Sequence, residues 1–335
     1  VRDRLLELAL EGGALTREES GELAGAIFDG RELPARIAAL LGVWCSRCPS
    51  FEEFSGVLDA LLQRAVPLDL GSEPCIDLCG TGGDGKDTFN ISTTTSFVVA
   101  GCGVRVAKHG NYGASSRVGS SNVLEALGIP LLREPSLLKR CIDYAGITFI
   151  HAPYFHPTLG ALAPIRRELG VRTIFNLLGP LANPARPVMQ YVGVSDRRVM
   201  RLFARVLAER GASFCIVHAD DGYDEITLTG SATIVTNRGW FSVRPEQEGD
   251  ERVDPEALRG SGDVGDHAGV VEAILSGEDR SPRLAVVLAN AARAVSLARP
   301  EASAEACRYE VKRSIESGEA LKVLHRIREF AEKLT

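Results

Sequence analysis

The sequence predicts an α/β fold, with a small N-terminal helical domain ahead of a larger sheet domain. Three observations carry this reading. Residues up to about 65 show helical periodicity alone, a turn containing Gly and Pro ends that stretch, and beyond it short apolar runs alternate with helical patterns. In the first stretch apolar residues recur at Leu5, Leu6, Leu8 and Ala9, at Leu23 and Ile27, at Ile37, Leu40 and Leu41, and at Val57, Leu58 and Leu61. Two helix starts are marked by capping-box pairs, Thr16 with Glu19 and Ser50 with Glu53, whose side chains can satisfy the free amides of a first turn. Pro67 and the turn Gly71-Ser72-Glu73-Pro74 close the module, so the expected domains are 1–70 and 71–335. Residues from about 157 to 187, rich in Ala, Leu, Arg and Pro, read as helices and turns that join the first domain.

From Cys75 the pattern is strand, loop, helix. Strands are expected at Cys75–Leu78, Val104–Ala107, Thr148–Ile150, Val188–Val194 and Phe214–Val217, with helices at Thr93–Ala100, Ser121–Leu127 and Val199–Arg210. The polar, acidic stretch Glu246–Gly265 reads as a surface excursion.

Composition narrows the function. With 45% hydrophobic and 24% charged residues the chain can bury a substantial core, which excludes a disordered protein. A net charge of −6 argues against wholesale binding of nucleic acid, which relies on Lys and Arg to neutralise phosphates. No apolar run reaches the ~20 residues that span a bilayer, and Val1–Arg4 opens without a signal-peptide core, so the expected location is cytoplasmic. Eight scattered cysteines fit a reducing compartment. Cys45 and Cys48 form a C-x-x-C without a second pair, so a coincidence of spacing is favoured over a metal or redox role. Cys75 and Cys79 flank an apolar strand and read as core residues.

Gly80-Thr81-Gly82-Gly83-Asp84-Gly85-Lys86 follows the first strand, where glycines let the backbone turn tightly and aim amides at an anion. The stretch fits G-x-G-x-x-G and the first seven positions of a Walker loop. Asp87 stands where the Walker hydroxyl belongs, and the second strand ends in Lys108-His109 where a dinucleotide site needs an acid. A plain glycine-rich turn is the remaining alternative. It weakens because Thr88, Asn90, Ser92 and Thr93 follow at a helix start, and because Lys108-His109-Gly110-Asn111-Tyr112-Gly113-Ala114-Ser115-Ser116 supplies a second anion-suited loop. Ordinary N-capping would need only one of those side chains.

The segments Gly80–Thr93, Lys108–Ser116, Gly119–Gly128, Val171–Pro184 and Asp221–Gly230 resemble anthranilate phosphoribosyltransferases, and the likeness extends over nearly the whole chain. The resemblance implies a homodimer with its active site in the hinge cleft between the two domains. It implies transfer of the phosphoribosyl group of phosphoribosyl pyrophosphate (PRPP) to the amine of anthranilate, with Mg2+, in tryptophan biosynthesis. The donor-binding residues it implies are Gly80, Gly83, Asp84, Thr88, Asn90, Ile91, Ser92 and Thr93 in the first loop and helix start. In the second loop they are the nine residues from Lys108 to Ser116, with Ser120 beyond. Gly80, Asn111 and Arg166 fall at anthranilate positions, and Ser92, Asp224 and Glu225 at magnesium positions.

Taken alone, the Asp224-Glu225 pair reads as a solvated acidic turn, and Arg166 as a surface cation like Arg167. His109 is a candidate to shape the acceptor pocket or take the released proton, and His151 and His156 bracket a segment that either gates the acceptor or simply packs. Many members of the family carry Arg where this chain has Tyr112, a departure that bears on donor affinity or loop closure. The rival readings are a pyrimidine nucleoside phosphorylase-like enzyme and a noncatalytic nucleic-acid-binding relative of the same fold. The second would call for an enriched basic surface and a damaged donor site, and this sequence has neither.

Overall fold

A computed structural model of the chain describes residues 2–113 and 117–334. Ala114, Ser115 and Ser116, expected at the donor, therefore lie outside the described residues. The chain divides into two compact units, Val1–Leu68 with Ala152–Arg186, and Asp69–His151 with Pro187–Thr335.

The first unit is helical. Its main helices are Arg2–Leu10, Arg17–Phe28, Pro34–Arg47 and Phe51–Gln63, and both capping boxes form as the sequence indicates. The apolar stripes meet in a core that includes Leu23, Ile27, Leu40, Leu41, Trp44, Phe54, Leu58 and Leu61. Burying each large side chain contributes about 1.5–3 kcal/mol. Short helices between Ala152 and Leu178 complete the unit. The Phe175 ring lies 6.0 Å from that of Phe28, the Val66 amide donates to the Phe155 carbonyl at 2.9 Å, and the Cys45 thiol donates to the Arg172 carbonyl at 2.9 Å.

One buried ion pair ties this bundle together. Glu53 is fully buried and accepts from both terminal nitrogens of Arg47 at 2.6 and 2.8 Å, from the Leu15 amide at 3.2 Å and from the Ser50 amide at 2.8 Å. Burial alone would raise its pKa, but the Arg47 guanidinium and the Ser50 and Leu15 amides outweigh it and bring the carboxyl down to about 2.

The second unit is built on one seven-stranded sheet in the order β3-β2-β1-β4-β5-β6-β7. The strands are β1 Ile76–Leu78, β2 Val106–Gly110, β3 Ile147–His151, β4 Met189–Gly193, β5 Ser213–Ala219, β6 Ala232–Thr236 and β7 Gly239–Val243. The first five run parallel, and β6 and β7 add an antiparallel edge. The first three parallel strands are buried along their length, and the polar residues they carry, among them Asp77, Lys108, His109 and His151, are buried with them. Helix Ile91–Gly101 carries Phe97, Val98 and Val99 into the core, and the C-terminal helices pack over it, with the Ser314 hydroxyl donating to the Val98 carbonyl at 3.0 Å. No described helix is long and apolar enough to cross a membrane.

The structure corrects the reading of Glu246–Gly265. Val253 and Leu258 are buried, the Phe89 amide donates to the Leu258 carbonyl at 3.0 Å, the Gly260 amide donates to the Asp87 carbonyl at 2.8 Å, and Thr88 bridges to Arg259. The stretch is a strap along the glycine loop. Most of its charged side chains face solvent, Glu248 and Asp250 pair with Arg293 and Arg308, and the glycine loop is met by its backbone, so composition alone concealed it.

The Glu53 pair sets an acid limit on stability. A carboxyl lowered from about 4.5 to about 2 on folding contributes roughly 3 kcal/mol, fully present above pH 5 and lost as pH falls from 5 towards 2. Urea unfolding at pH 7, 5, 4 and 3 should show wild type losing stability faster than Glu53→Gln, and parallel curves would refute the assignment.

Candidate active site

The site is assembled at the carboxyl ends of parallel strands where the strand order reverses between β1 and β4, the usual ligand crevice of an open α/β sheet. The glycine loop leaves β1 and is pinned to the end of β4. The Cys79 amide donates to the Tyr191 carbonyl at 3.1 Å, the Thr81 amide to the Gly193 carbonyl at 2.8 Å, and the Ser195 amide to the Thr81 hydroxyl at 3.2 Å. Gly82, Gly83 and Gly85 all have positive φ, so the turn needs the glycines for their conformation as well as for their bare amides. Asp84 closes the tip by accepting from the Lys86 amide at 3.1 Å, and the Lys86 ammonium lies 4.8 Å from the centre of the Tyr223 ring.

The helix after the loop begins at Ile91, two residues earlier than expected, with Asn90 at its N-cap. The Asn90 side chain makes no capping bond, so ordinary capping does not account for it. Ile91 and Thr93 are buried at 1% exposure, and the Thr93 hydroxyl finds no hydrogen-bond partner among the described residues. Ser92 sits between opposite charges: its amide donates to Glu225 at 3.0 Å, and its hydroxyl receives the Lys108 ammonium at 3.3 Å.

Lys108 and His109 end the second loop's strand and are both buried at 3% exposure. The Lys108 ammonium also donates to the Leu78 carbonyl, and the His109 amide donates to Asp77 at 3.0 Å, which aligns β2 with β1. Beyond Gly110, the Asn111 amide donates to the Ser120 hydroxyl at 3.2 Å, and the Asn111 side chain accepts from the Tyr112 amide at 2.7 Å. The Gly113 and Gly119 amides share the Asn122 side-chain oxygen. Tyr112 is exposed, donates to Glu125 at 3.1 Å and sets its ring edge-on to His151, whose Nδ1 lies 2.8 Å from the Ser121 hydroxyl.

Asp224 and Glu225 are not a solvated turn. Asp224 is 8% exposed and accepts from the Gly82 amide at 2.8 Å, while Glu225 accepts from Ser92. Burial, with Asp224 and Asp84 nearby, pushes the Glu225 carboxyl well above the usual carboxylate range, although Lys108 and the Ser92 amide pull the other way. No group of three or more His, Cys, Asp or Glu side chains at metal spacing occurs among the described residues. The Ser92 hydroxyl and two carboxylates are hard oxygen donors, a set that suits a magnesium ion sharing its remaining positions with phosphate and water.

Two residues that the sequence reading did not single out hold this turn. A Cβ on Gly193 would lie 1.7 Å from the Asp224 carbonyl oxygen, so only glycine permits the approach. Asn290 accepts from the Ile226 amide at 3.0 Å and from the Tyr191 hydroxyl at 2.7 Å, and donates to the Ile226 carbonyl at 2.8 Å.

Arg166 lies in the first unit, on helix Ala163–Leu169. It is half-buried, has its guanidinium 5.9 Å from the Phe175 ring and has no carboxylate partner among the described residues; burial lowers its pKa. Arg167 is exposed. His156 is packed, with Nε2 2.7 Å from the Ala182 carbonyl oxygen. Cys45 and Cys48 are exposed and not joined in a disulfide, Cys75 is buried, and Cys79 is partly covered, its thiol pushed up to about 12 by burial.

This architecture has known counterparts. Residues 4–65 match the glycosyl transferase family helical bundle domain, and residues 72–321 match the glycosyl transferase family a/b domain. The chain is 42% identical over 328 residues to anthranilate phosphoribosyltransferase of Flavobacterium johnsoniae, covering 98% of this chain and 99% of the relative. It is 44% identical over 339 residues to that of Thermomicrobium roseum, covering 98% and 97%. The chain belongs to the anthranilate phosphoribosyltransferase family. Among solved structures, the enzyme of Thermus thermophilus superposes with a TM-score of 0.92 at 36% identity, over 97% of this chain and 98% of that one. The enzyme of Saccharomyces cerevisiae in complex with PRPP and Mg superposes at 0.91 with 24% identity, over 99% and 98%, a likeness of fold. In this family member, as in the sequence reading, the architecture is a helical bundle joined to an α/β domain with a seven-stranded mixed sheet.

The contact at Gly193 is directly testable. Gly193→Ala must push the Asp224 backbone away, costing about 1–3 kcal/mol and raising the magnesium concentration needed for half-maximal activity. Thermal unfolding and a magnesium titration measure the two effects; an unchanged magnesium response would show that the turn tolerates the displacement.

Proposed function

We propose that this chain transfers the phosphoribosyl group of PRPP to the amine of anthranilate, giving N-(5-phosphoribosyl)anthranilate and pyrophosphate, in tryptophan biosynthesis. The observation that carries the reading is the convergence, in a member of this family, of the glycine loop, the Lys108 ammonium, the Ser92 hydroxyl and the Asp224-Glu225 carboxylates at the ends of β1, β2, β4 and β5.

The residues divide the work by their chemistry. Gly80, Gly83 and Asp84 of the glycine loop and the helix start at Ile91 serve the anionic donor, with Thr88, Asn90, Ser92 and Thr93 in support. Lys108, the backbone from His109 to Gly113 and Ser120 serve the same ligand from the second loop, together with Ala114, Ser115 and Ser116. Ser92, Asp224 and Glu225 hold Mg2+. When bound, that ion neutralises charge on the pyrophosphate leaving group. Arg166 holds the anthranilate carboxylate through its planar fork, and Asn111 and the Gly80 backbone orient the acceptor. The amine of anthranilate attacks the anomeric carbon as pyrophosphate departs, and being weakly basic it needs positioning more than prior deprotonation. The enzyme acts as a homodimer in the cytoplasm, a setting consistent with cysteines that are not paired in disulfides among the described residues.

Mixing the protein with PRPP, Mg2+ and anthranilate should extinguish anthranilate fluorescence, and a chelator or omission of PRPP should stop the decay. A folded, PRPP-binding protein that leaves the fluorescence unchanged would sink the acceptor assignment. Arg166→Ala should raise the anthranilate KM about 10- to 100-fold, the loss of a charge-assisted hydrogen-bond pair, while leaving the PRPP KM near wild type. Equal effects on both would remove Arg166 from the acceptor site.

A further inference from the structure

The side chain of Asn90 is held by a residue that the donor reading does not use. His267, 4% exposed on helix Val264–Leu275, places Nδ1 2.6 Å from the Asn90 side-chain oxygen and Nε2 2.9 Å from the Ser261 carbonyl oxygen. The Ser261 carbonyl oxygen and the Asn90 side-chain oxygen both only accept, so each ring nitrogen donates to the oxygen it faces. The Asn90 amide nitrogen points the other way and donates to the Val118 carbonyl at 3.4 Å.

The ring is confined where it makes these bonds. A Cβ on Gly260 would lie 2.5 Å from its Cε1, so the strap runs against the imidazole itself. Asp263 caps the helix that carries His267, accepting from the Gly265 and Asp266 amides. The strap's other bonds, from Phe89 to Leu258 and from Gly260 to Asp87, restrain the backbone of the glycine loop and do not reach the Asn90 side chain. Asn90 makes no cap to its own helix, so its carboxamide depends on His267 and Val118 for its orientation.

We propose that His267 is a positioning residue for the donor site: one ring nitrogen sets the orientation of the Asn90 carboxamide and the other fastens the strap at Ser261. The proposal rests on the reading that Asn90 contacts PRPP. His267 itself need not touch the donor, so its removal acts through Asn90.

Two substitutions separate the ring nitrogens. An asparagine amide falls near the place of Nδ1 and a glutamine amide near that of Nε2. H267N therefore keeps the bond to Asn90 and gives up Ser261, whereas H267Q does the reverse. Steady-state kinetics should show the PRPP KM rising about tenfold in H267Q, the size of one lost hydrogen bond, and staying within about twofold in H267N, with the anthranilate KM unchanged in both. In N90A the further change H267Q should cost nothing more in kcat/KM for PRPP, because the two act as one unit. Equal losses in H267N and H267Q, or additive losses in the double variant, would overturn the proposal. N90A with an unaltered PRPP KM in an enzyme that still consumes anthranilate would overturn it differently, by removing Asn90 from the donor site while leaving the transferase activity in place.

Discussion

The approach of the Asp224 backbone to Gly193 is the constraint on which the candidate site depends. Its carbonyl oxygen occupies the place where any side chain at Gly193 would begin, and its carboxylate occupies the corresponding place at Gly80. The turn after β5 thereby lies directly against the ends of β4 and β1. Only from there does Asp224 meet the Gly82 amide and Glu225 meet Ser92. Asn290 secures the same turn from behind with three buried hydrogen bonds to Tyr191 and Ile226, and Leu228 takes a left-handed backbone conformation a few residues on. A buried amide that satisfies both a donor and an acceptor of one turn resists its movement, because each broken bond would leave an unpaired polar group away from water.

This geometry brings together groups that repel one another. Glu225 has Asp224 and Asp84 nearby, opposed by the Lys108 ammonium. Concentrated negative charge, withdrawn from water, raises the affinity of a Glu for a proton and equally its affinity for a cation. Lys108 does not cancel it, being directed at the Leu78 carbonyl and the Ser92 hydroxyl. The site thus presents cation-seeking oxygens beside anion-seeking amides. A magnesium–pyrophosphate ligand carries both complements, and neither a bare phosphate nor a bare metal does.

The parts legible in the sequence are those whose physics is local. Both capping boxes, the glycine loop and the buried parallel strands announce themselves within a few residues. The hairpin of β6 and β7 does not, because Trp240 and Phe241 stand exposed on adjacent positions and break the alternation that marks a half-buried strand. The strap at 253–261 was concealed in the same way, since it attaches through main-chain groups at Leu258 and Gly260. Within the site, the glycines and hydroxyls around Gly80–Thr93 could be recognised by type. Gly193, Asn290 and His267 could not, because each matters through a partner 31 to 177 residues away, and nothing in its own neighbourhood reveals that partner.

Tyr112 shows how a loop can change a side chain and keep its frame. The segment is shaped by main-chain donors: Asn111 to the Ser120 hydroxyl, Tyr112 to the Asn111 side chain, and Gly113 and Gly119 to Asn122. None of these needs the identity of residue 112. The phenol is instead tied back to the α/β unit, through its hydroxyl to Glu125 and its ring edge to His151. An Arg there would place a positive charge beside Glu125 and, on the proposed reading of this loop, next to an anionic donor. The tyrosine removes that charge and leaves the same carboxylate satisfied by a neutral hydrogen bond. On that reading the consequence falls on the electrostatic attraction of the donor, which is screened by salt, and not on the backbone at Asn111–Gly113, which its own hydrogen bonds hold.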